Sequence, residues 1–134
     1  FFSNKDEAQR ILKTEEHDIK ILLRKIHELG PKVVSITDGP DGAYARDYDG
    51  KMWRIMKYPD PKPPFERTGA GDAFSSTFAV ALAHGLPVSE ALRWGPVNSM
   101  SVVQYVGAQE GLLTREKVEE YLKKAPDYYQ AQQI

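Results

Sequence analysis

The sequence predicts a mixed α/β architecture with more helix than strand. Three observations carry this. Apolar residues recur at three- and four-residue steps in several segments, one short run is rich in β-branched residues, and Gly, Pro and Asp clusters separate the segments. Phe1-Phe2-Ser3 reads as the tail of a strand, and Asn4 as the cap of a helix over 5–13. Ile19, Leu22, Leu23, Ile26 and Leu29 share one face of a helix over 18–29, stopped by Gly30-Pro31. Residues 33–37, Val-Val-Ser-Ile-Thr, form a buried strand, and Asp38-Gly39-Pro40-Asp41-Gly42 is a turn cluster. Residues 43–48 and 51–57 form a hairpin joined at Asp49-Gly50, a pair favoured in two-residue type I′ turns.

Pro59, Pro61, Pro63 and Pro64 fix too many φ angles, and remove too many N–H groups, for helix or central strand. Helix returns over 70–84 and stops at Gly85-Leu86-Pro87. Ser89 caps a further helix running toward Tyr105, disturbed at Gly95-Pro96. Thr114 caps a last helix over 115–124, and the polar stretch 127–134 is expected to fray. These strands are too few for a complete sheet.

The length of 134 residues is that of one domain. The balance of 18 basic to 19 acidic residues, a net charge of −1, lacks the basic excess of a nucleic-acid module. With no Cys there are no disulfides and no Cys-ligated zinc. No apolar run approaches the roughly 20 residues of a membrane span, and no signal-peptide pattern is present. A cytoplasmic protein without membrane or nucleic-acid partners is the expectation. His17, His27 and His84 form no metal-ligand pattern, and Trp53 and Trp94 read as packing residues. The chain opens on Phe1-Phe2 without Met, as if cut from something longer.

Chemistry concentrates in Glu66-Arg67-Thr68-Gly69-Ala70-Gly71-Asp72-Ala73-Phe74. A proline-stiffened loop enters small residues and a helix follows at once. A helix start offers free N–H groups and a positive dipole end, and Gly69 and Gly71 let a ligand approach the backbone. That combination suits a phosphate or oxyanion. Asp72 at its mouth reads evenly as a base that takes a hydroxyl proton and as an ordinary acid of a first helical turn. The dinucleotide and P-loop glycine patterns fail: Phe74 stands where the first needs Gly, and Gly50-Lys51 is followed by Met52.

The run 66–74 resembles the signature of the ribokinase-like (PfkB) carbohydrate kinases, Asp-x-x-Gly-Ala-Gly-Asp-x-Phe. Asn4-Lys5-Asp6-Glu7 is similar to that family's Asn-x-x-Glu motif, and Thr37-Asp38-Gly39-Pro40-Asp41-Gly42 to its Thr-x-Gly-x-x-Gly turn. The helix with Asn98 and the turn at Gly107-Ala108 follow in the family's order. The resemblance covers essentially all of residues 1–134 but only the C-terminal part of the family's chain. It implies the C-terminal portion of a three-layer α/β/α fold, with a β-hairpin and helices flanking a partial sheet. The N-terminal sugar-binding part and lid would be absent, leaving an apolar face exposed where they dock.

The resemblance implies ATP-dependent phosphorylation of a small-molecule alcohol, most often a sugar, with nucleosides among the relatives' acceptors. Asp72 would be the catalytic base, and the backbone N–H groups of Gly69, Ala70, Gly71 and Asp72 the anion hole. Thr37, Gly39 and Gly42 would contact the nucleotide, with Pro40 and Asp41 at the loop's outer edge. Asn98 would reach the adenine pocket, or face solvent as a plain helix residue. Asn4 and Glu7 would lie near the phosphates and Mg²⁺, Glu7 acting through water; the same pair also reads as a capping box, and both can hold. Glu66 stands where the signature carries the Asp that helps ligate a monovalent cation such as K⁺, and its extra methylene displaces the carboxylate. The alternative is a stand-alone nucleotide- or phosphate-binding module. Residues 1–134 by themselves are expected to bind ATP weakly and to turn nothing over. The resemblance leaves a homodimer of the full-length parent open.

Overall fold

The computed structural model describes residues 1–60, 69–104 and 111–134. The elements run β1 (Phe2–Asn4), α1 (Lys5–Leu12), α2 (Ile19–Glu28), β2 (Val34–Thr37), a 3₁₀ turn (Gly39–Asp41), β3 (Ala43–Arg46) and β4 (Met52–Ile55). Then come α3 (Ala70–Ala83), α4 (Val88–Val102), α5 (Arg115–Lys124) and β5 (Gln132–Gln133). The sheet order is β1-β2-β3-β4-β5. β1 and β2 are parallel, joined by the α1–α2 crossover, and the remaining pairs are antiparallel.

Side-chain alternation along the strands builds three layers. Val34 and Ile36, with Tyr44 and Met52, face α1 and α2 and pack on Ala8, Leu22, Leu23 and Ile26. Ala43, Ala45 and Ile55 face the other way, onto Phe74, Phe78, Leu92 and Val97 of α3 and α4. At the β1 edge Phe2 meets Phe78 edge-on, with ring centroids 5.4 Å apart. Phe1 and Phe2 stay 39% and 37% exposed on this edge strand.

Local signals set most helix ends. At the start of α1 the Glu7 N–H donates to Asn4 Oδ1 (2.8 Å) and the Asn4 N–H donates to Glu7 Oε2 (2.9 Å), completing a capping box. Asp18 caps α2 by accepting from the Lys20 N–H, and Thr114 caps α5 by accepting from the Lys117 N–H. α4 differs from expectation. Its N-cap is Pro87, without a side-chain hydrogen bond, and Ser89 lies inside the helix.

α4 is also continuous through Gly95-Pro96. A helical proline costs about 3 kcal/mol locally, but tertiary packing overrides it. Gly95 lies so close to α3 that a Cβ there would stand 2.4 Å from the Phe74 ring.

Two further expectations are corrected. The β3–β4 ladder closes at Arg46 opposite Met52, leaving a five-residue connection, 47–51, rather than a two-residue turn. The Asp47 carboxylate dictates this: Oδ1 accepts from the N–H groups of Asp49 and Lys51, and Oδ2 from Trp53 Nε1. Of the Asp49-Gly50 pair only Gly50 has positive φ, whereas a type I′ turn needs both. The C-terminal stretch is anchored rather than frayed. Gln132 and Gln133 pair with Arg54 and Trp53 of β4.

Tyr129 just before them is fully buried, its hydroxyl donating to the Arg93 carbonyl and its ring touching Tyr58 edge-on. Burial pushes the Tyr129 and Tyr58 phenols above their ordinary pKa. Among the described residues no helix is long and apolar enough to cross a membrane.

Candidate functional site

The carboxyl ends of the parallel strands β1 and β2 end side by side, Asn4 opposite Thr37. Ligands of open α/β sheets bind outside such strand ends. A cavity of about 330 Å³ opens there. Its walls come from four places: Asn4 and Thr37 at the strand ends; Gly39, Gly42 and Ala43 in the turn and the start of β3; Lys57, Tyr58 and Asp60 beyond β4; and the facing sides of α3 and α4.

The turn between β2 and β3 is held by its own backbone. The Asp38 N–H donates to the Gly42 carbonyl, and the Asp41 N–H to the Asp38 carbonyl. Gly42 has φ +97°, and a Cβ there would stand 2.1 Å from the Ile55 carbonyl oxygen. Only glycine fits both constraints. Pro40 and Asp41 form the exposed outer edge. Lys5 Nζ reaches Asp38 Oδ2 at 3.1 Å, tying this turn to α1.

The opposite wall starts at α3. Gly69 caps it in the left-handed conformation, φ +82°, with no side-chain hydrogen bond to the helix. The first intrahelical bond runs from the Ala73 N–H to the Gly69 carbonyl. The N–H groups of Ala70, Gly71 and Asp72 precede it and lack helical partners by geometry. Ala70 and Gly71 line the cavity, and around the position of a Gly71 Cβ there is open space to 4 Å. Asp72 is exposed at this helix start. Dipole and free donors together favour an anion here.

The structure thus brings Asn4, Thr37, Gly39, Gly42, Ala70 and Gly71 to one cavity, with Gly69 and Asp72 flanking them in the chain. Glu7 is exposed in the first turn of α1, engaged in the capping box. Among the described residues no group of three or more His, Asp or Glu side chains could hold a metal ion by itself. A single carboxylate nonetheless fits Mg²⁺, which keeps several waters and takes most ligands from phosphate. Glu66 and the Gly107-Ala108 turn lie outside the described residues.

Asn98 is not where the sequence suggested. It is buried at 5% exposure, donates to Thr77 Oγ1 (2.8 Å) and accepts from the Leu113 N–H (3.0 Å). It does not line the cavity; α4 presents Pro96, Ser99, Met100 and Val103 there instead. Their three- and four-residue spacing is the face signal that would have found them. The Ser99 hydroxyl donates to the Ala70 carbonyl at 2.6 Å and joins α4 to the first turn of α3. Lys57, Tyr58 and Asp60 also went unforeseen. Lys57 and Asp60 pair at 2.9 Å, and the Tyr58 hydroxyl donates to the Tyr121 carbonyl.

Comparison with known proteins is consistent with this geometry. A family model described as pfkB family carbohydrate kinase matches residues 1–115. Ribokinase of Bacillus subtilis is 37% identical over 117 residues, covering 83% of this chain and 39% of the relative. A 5-dehydro-2-deoxygluconokinase of Clostridium perfringens is 32% identical over 102 residues, covering 76% of this chain and 30% of the relative. The structure of Arabidopsis thaliana ribokinase complexed with ribose and ATP superposes with a TM-score of 0.81 at 30% identity. It covers 91% of this chain and 40% of that one. The chain therefore spans between 30% and 40% of the length of these relatives.

Proposed function

Because this chain belongs to the pfkB family of carbohydrate kinases, we propose that it forms the nucleotide-binding and catalytic part of an ATP-dependent kinase acting on a sugar hydroxyl. The observation that carries the reading is the cavity between the ends of β1 and β2 and the uncapped start of α3. Its volume falls within the range of small-ligand sites, and the N–H groups of its far wall that lack helical partners would face a phosphoryl group. In phosphoryl transfer, positioning and electrostatic stabilisation supply most of the rate.

Each residue then takes a role. Thr37, Gly39 and Gly42 receive the nucleotide against a turn that is already rigid. Asn4 faces the polyphosphate from the end of β1. The N–H groups of Gly69, Ala70, Gly71 and Asp72 stabilise charge on the transferring group. Asp72 takes the proton of the attacking hydroxyl onto its carboxylate as that oxygen bonds to the γ-phosphorus and the bond to the bridging oxygen of the departing ADP breaks. Glu7 would hold a Mg²⁺ ion through water, and the ion would supply positive charge that offsets the phosphates. Sugar contacts would come mostly from a further part of the whole protein, which would extend the sheet at the β1 edge beside Phe1 and Phe2.

The test is Asp72→Asn in the full-length protein. Turnover falls by at least about 10²–10⁴-fold, the usual worth of general-base help, while ATP binding measured by calorimetry persists. Normal turnover in the variant overturns the assignment of the base.

A further inference from the structure

We propose that the Lys5–Asp38 ion pair is a positioning clamp that sets nucleotide affinity, by fixing the turn after β2 to the start of α1. The inference rests on the nucleotide reading of the cavity given above. Lys5 Nζ and Asp38 Oδ2 are 3.1 Å apart, across 33 residues of sequence, and both side chains are largely covered, at 23% and 22% exposure. Partial burial makes such a pair stronger and less screened than one at the open surface.

Neither residue lines the cavity, yet each adjoins residues that do. Lys5 follows Asn4, and Asp38 lies between Thr37 and Gly39. The parallel ladder ends at Asn4 opposite Thr37. The ion pair carries the link one residue further, to the point where the turn leaves the sheet.

Charge placement points the same way. Lys5 is the first residue of α1, the positive end of the helix dipole, where a lone cation is disfavoured. Asp38 sits beside a site proposed to take a polyphosphate, where a lone carboxylate would repel the ligand. Each charge is unfavourable alone and is answered by the other. Removing Lys5 therefore both loosens the turn and unmasks a negative charge. Removing the Asp38 charge also loosens the turn, but it unmasks a cation beside the polyphosphate, so less affinity is lost.

The experiment is a charge-swap cycle in the full-length protein, read as KM for ATP against kcat, with ATP–Mg²⁺ binding by calorimetry alongside. Lys5→Met raises KM about tenfold, the factor a coupling of 1.4 kcal/mol makes, and kcat stays within twofold. Asp38→Asn gives a smaller rise, of about threefold, and Lys5→Arg leaves KM unchanged. The double variant Lys5→Asp with Asp38→Lys recovers most of the lost affinity. A merely structural role would not produce this split or this rescue. The clamp is overturned if Lys5→Met and Asp38→Asn both leave KM within twofold, or if the swapped pair binds more weakly than either single variant. If the unaltered protein binds no ATP, the nucleotide reading fails and takes the clamp with it.

Discussion

At the start of α1 two backbone donors are answered by side chains: Asn4 and Glu7 exchange hydrogen bonds, and the turn facing them is closed by Gly42 and clasped by Lys5 and Asp38. At the start of α3, across the same cavity, Gly69 brings no side chain to the task, and among the described residues the first-turn N–H groups have no helical partner. A capped helix start is worth about 1 kcal/mol of stability. Leaving one uncapped forgoes that gain and keeps the donors free for something outside the chain. On the function proposed above, the contrast separates a wall that fixes position from a wall that would receive charge. It explains why two helix N-termini at one cavity are not equivalent.

If the β2 turn is the fixed wall, its largest vulnerability is Gly42. Gly42→Ala places a Cβ 2.1 Å from the Ile55 carbonyl at φ +97°, so the loss should be on the order of 3 kcal/mol. Urea denaturation checks this. An unshifted midpoint would mean that the turn yields easily and is not a rigid wall.

The next largest effect sharpens the boundary of the site. Asn98→Ala removes the acceptor of the half-buried Leu113 N–H and the donor to the buried Thr77 hydroxyl, which should cost about 2 kcal/mol, while ATP affinity stays within twofold. Weakened ATP binding with unchanged stability would return Asn98 to the adenine pocket.

Asn98 also shows where sequence reading stops. A helix residue two positions from Pro96 points about 200° away around the axis, so a small alignment error selects the wrong face. Only the packing of α4 on α3 decides which face meets the cavity. The capping box, the Thr114 cap and the glycine turn were legible because each is set by residues within a few positions of one another. The hairpin connection was not, because Asp47 reaches four residues on to Lys51 and six on to Trp53. β5 was not either: two glutamines carry no strand signal, and their pairing with β4 depends on the anchoring of Tyr129 in the core. The α3 start was legible as small residues before a helix. That it lacks a cap, and faces the Asn4–Thr37 strand ends, required the fold.

The smallest expected change in stability tests the receiving wall directly. Gly71→Ala meets open space and replaces a poor helix former with a good one, so the protein should gain up to about 0.5 kcal/mol. The same methyl group stands where the proposed phosphoryl group must approach the Ala70–Asp72 N–H donors. ATP affinity should then fall about tenfold, or 1.4 kcal/mol, in a variant whose melting temperature is unchanged or raised. Gly42→Ala damages the fold, whereas Gly71→Ala spares the fold and damages binding. That opposition is what a fixed wall facing a receiving wall requires. Should Gly71→Ala bind ATP normally, the free donors of α3 face something other than phosphate, and the difference between the two helix starts would be one of stability alone.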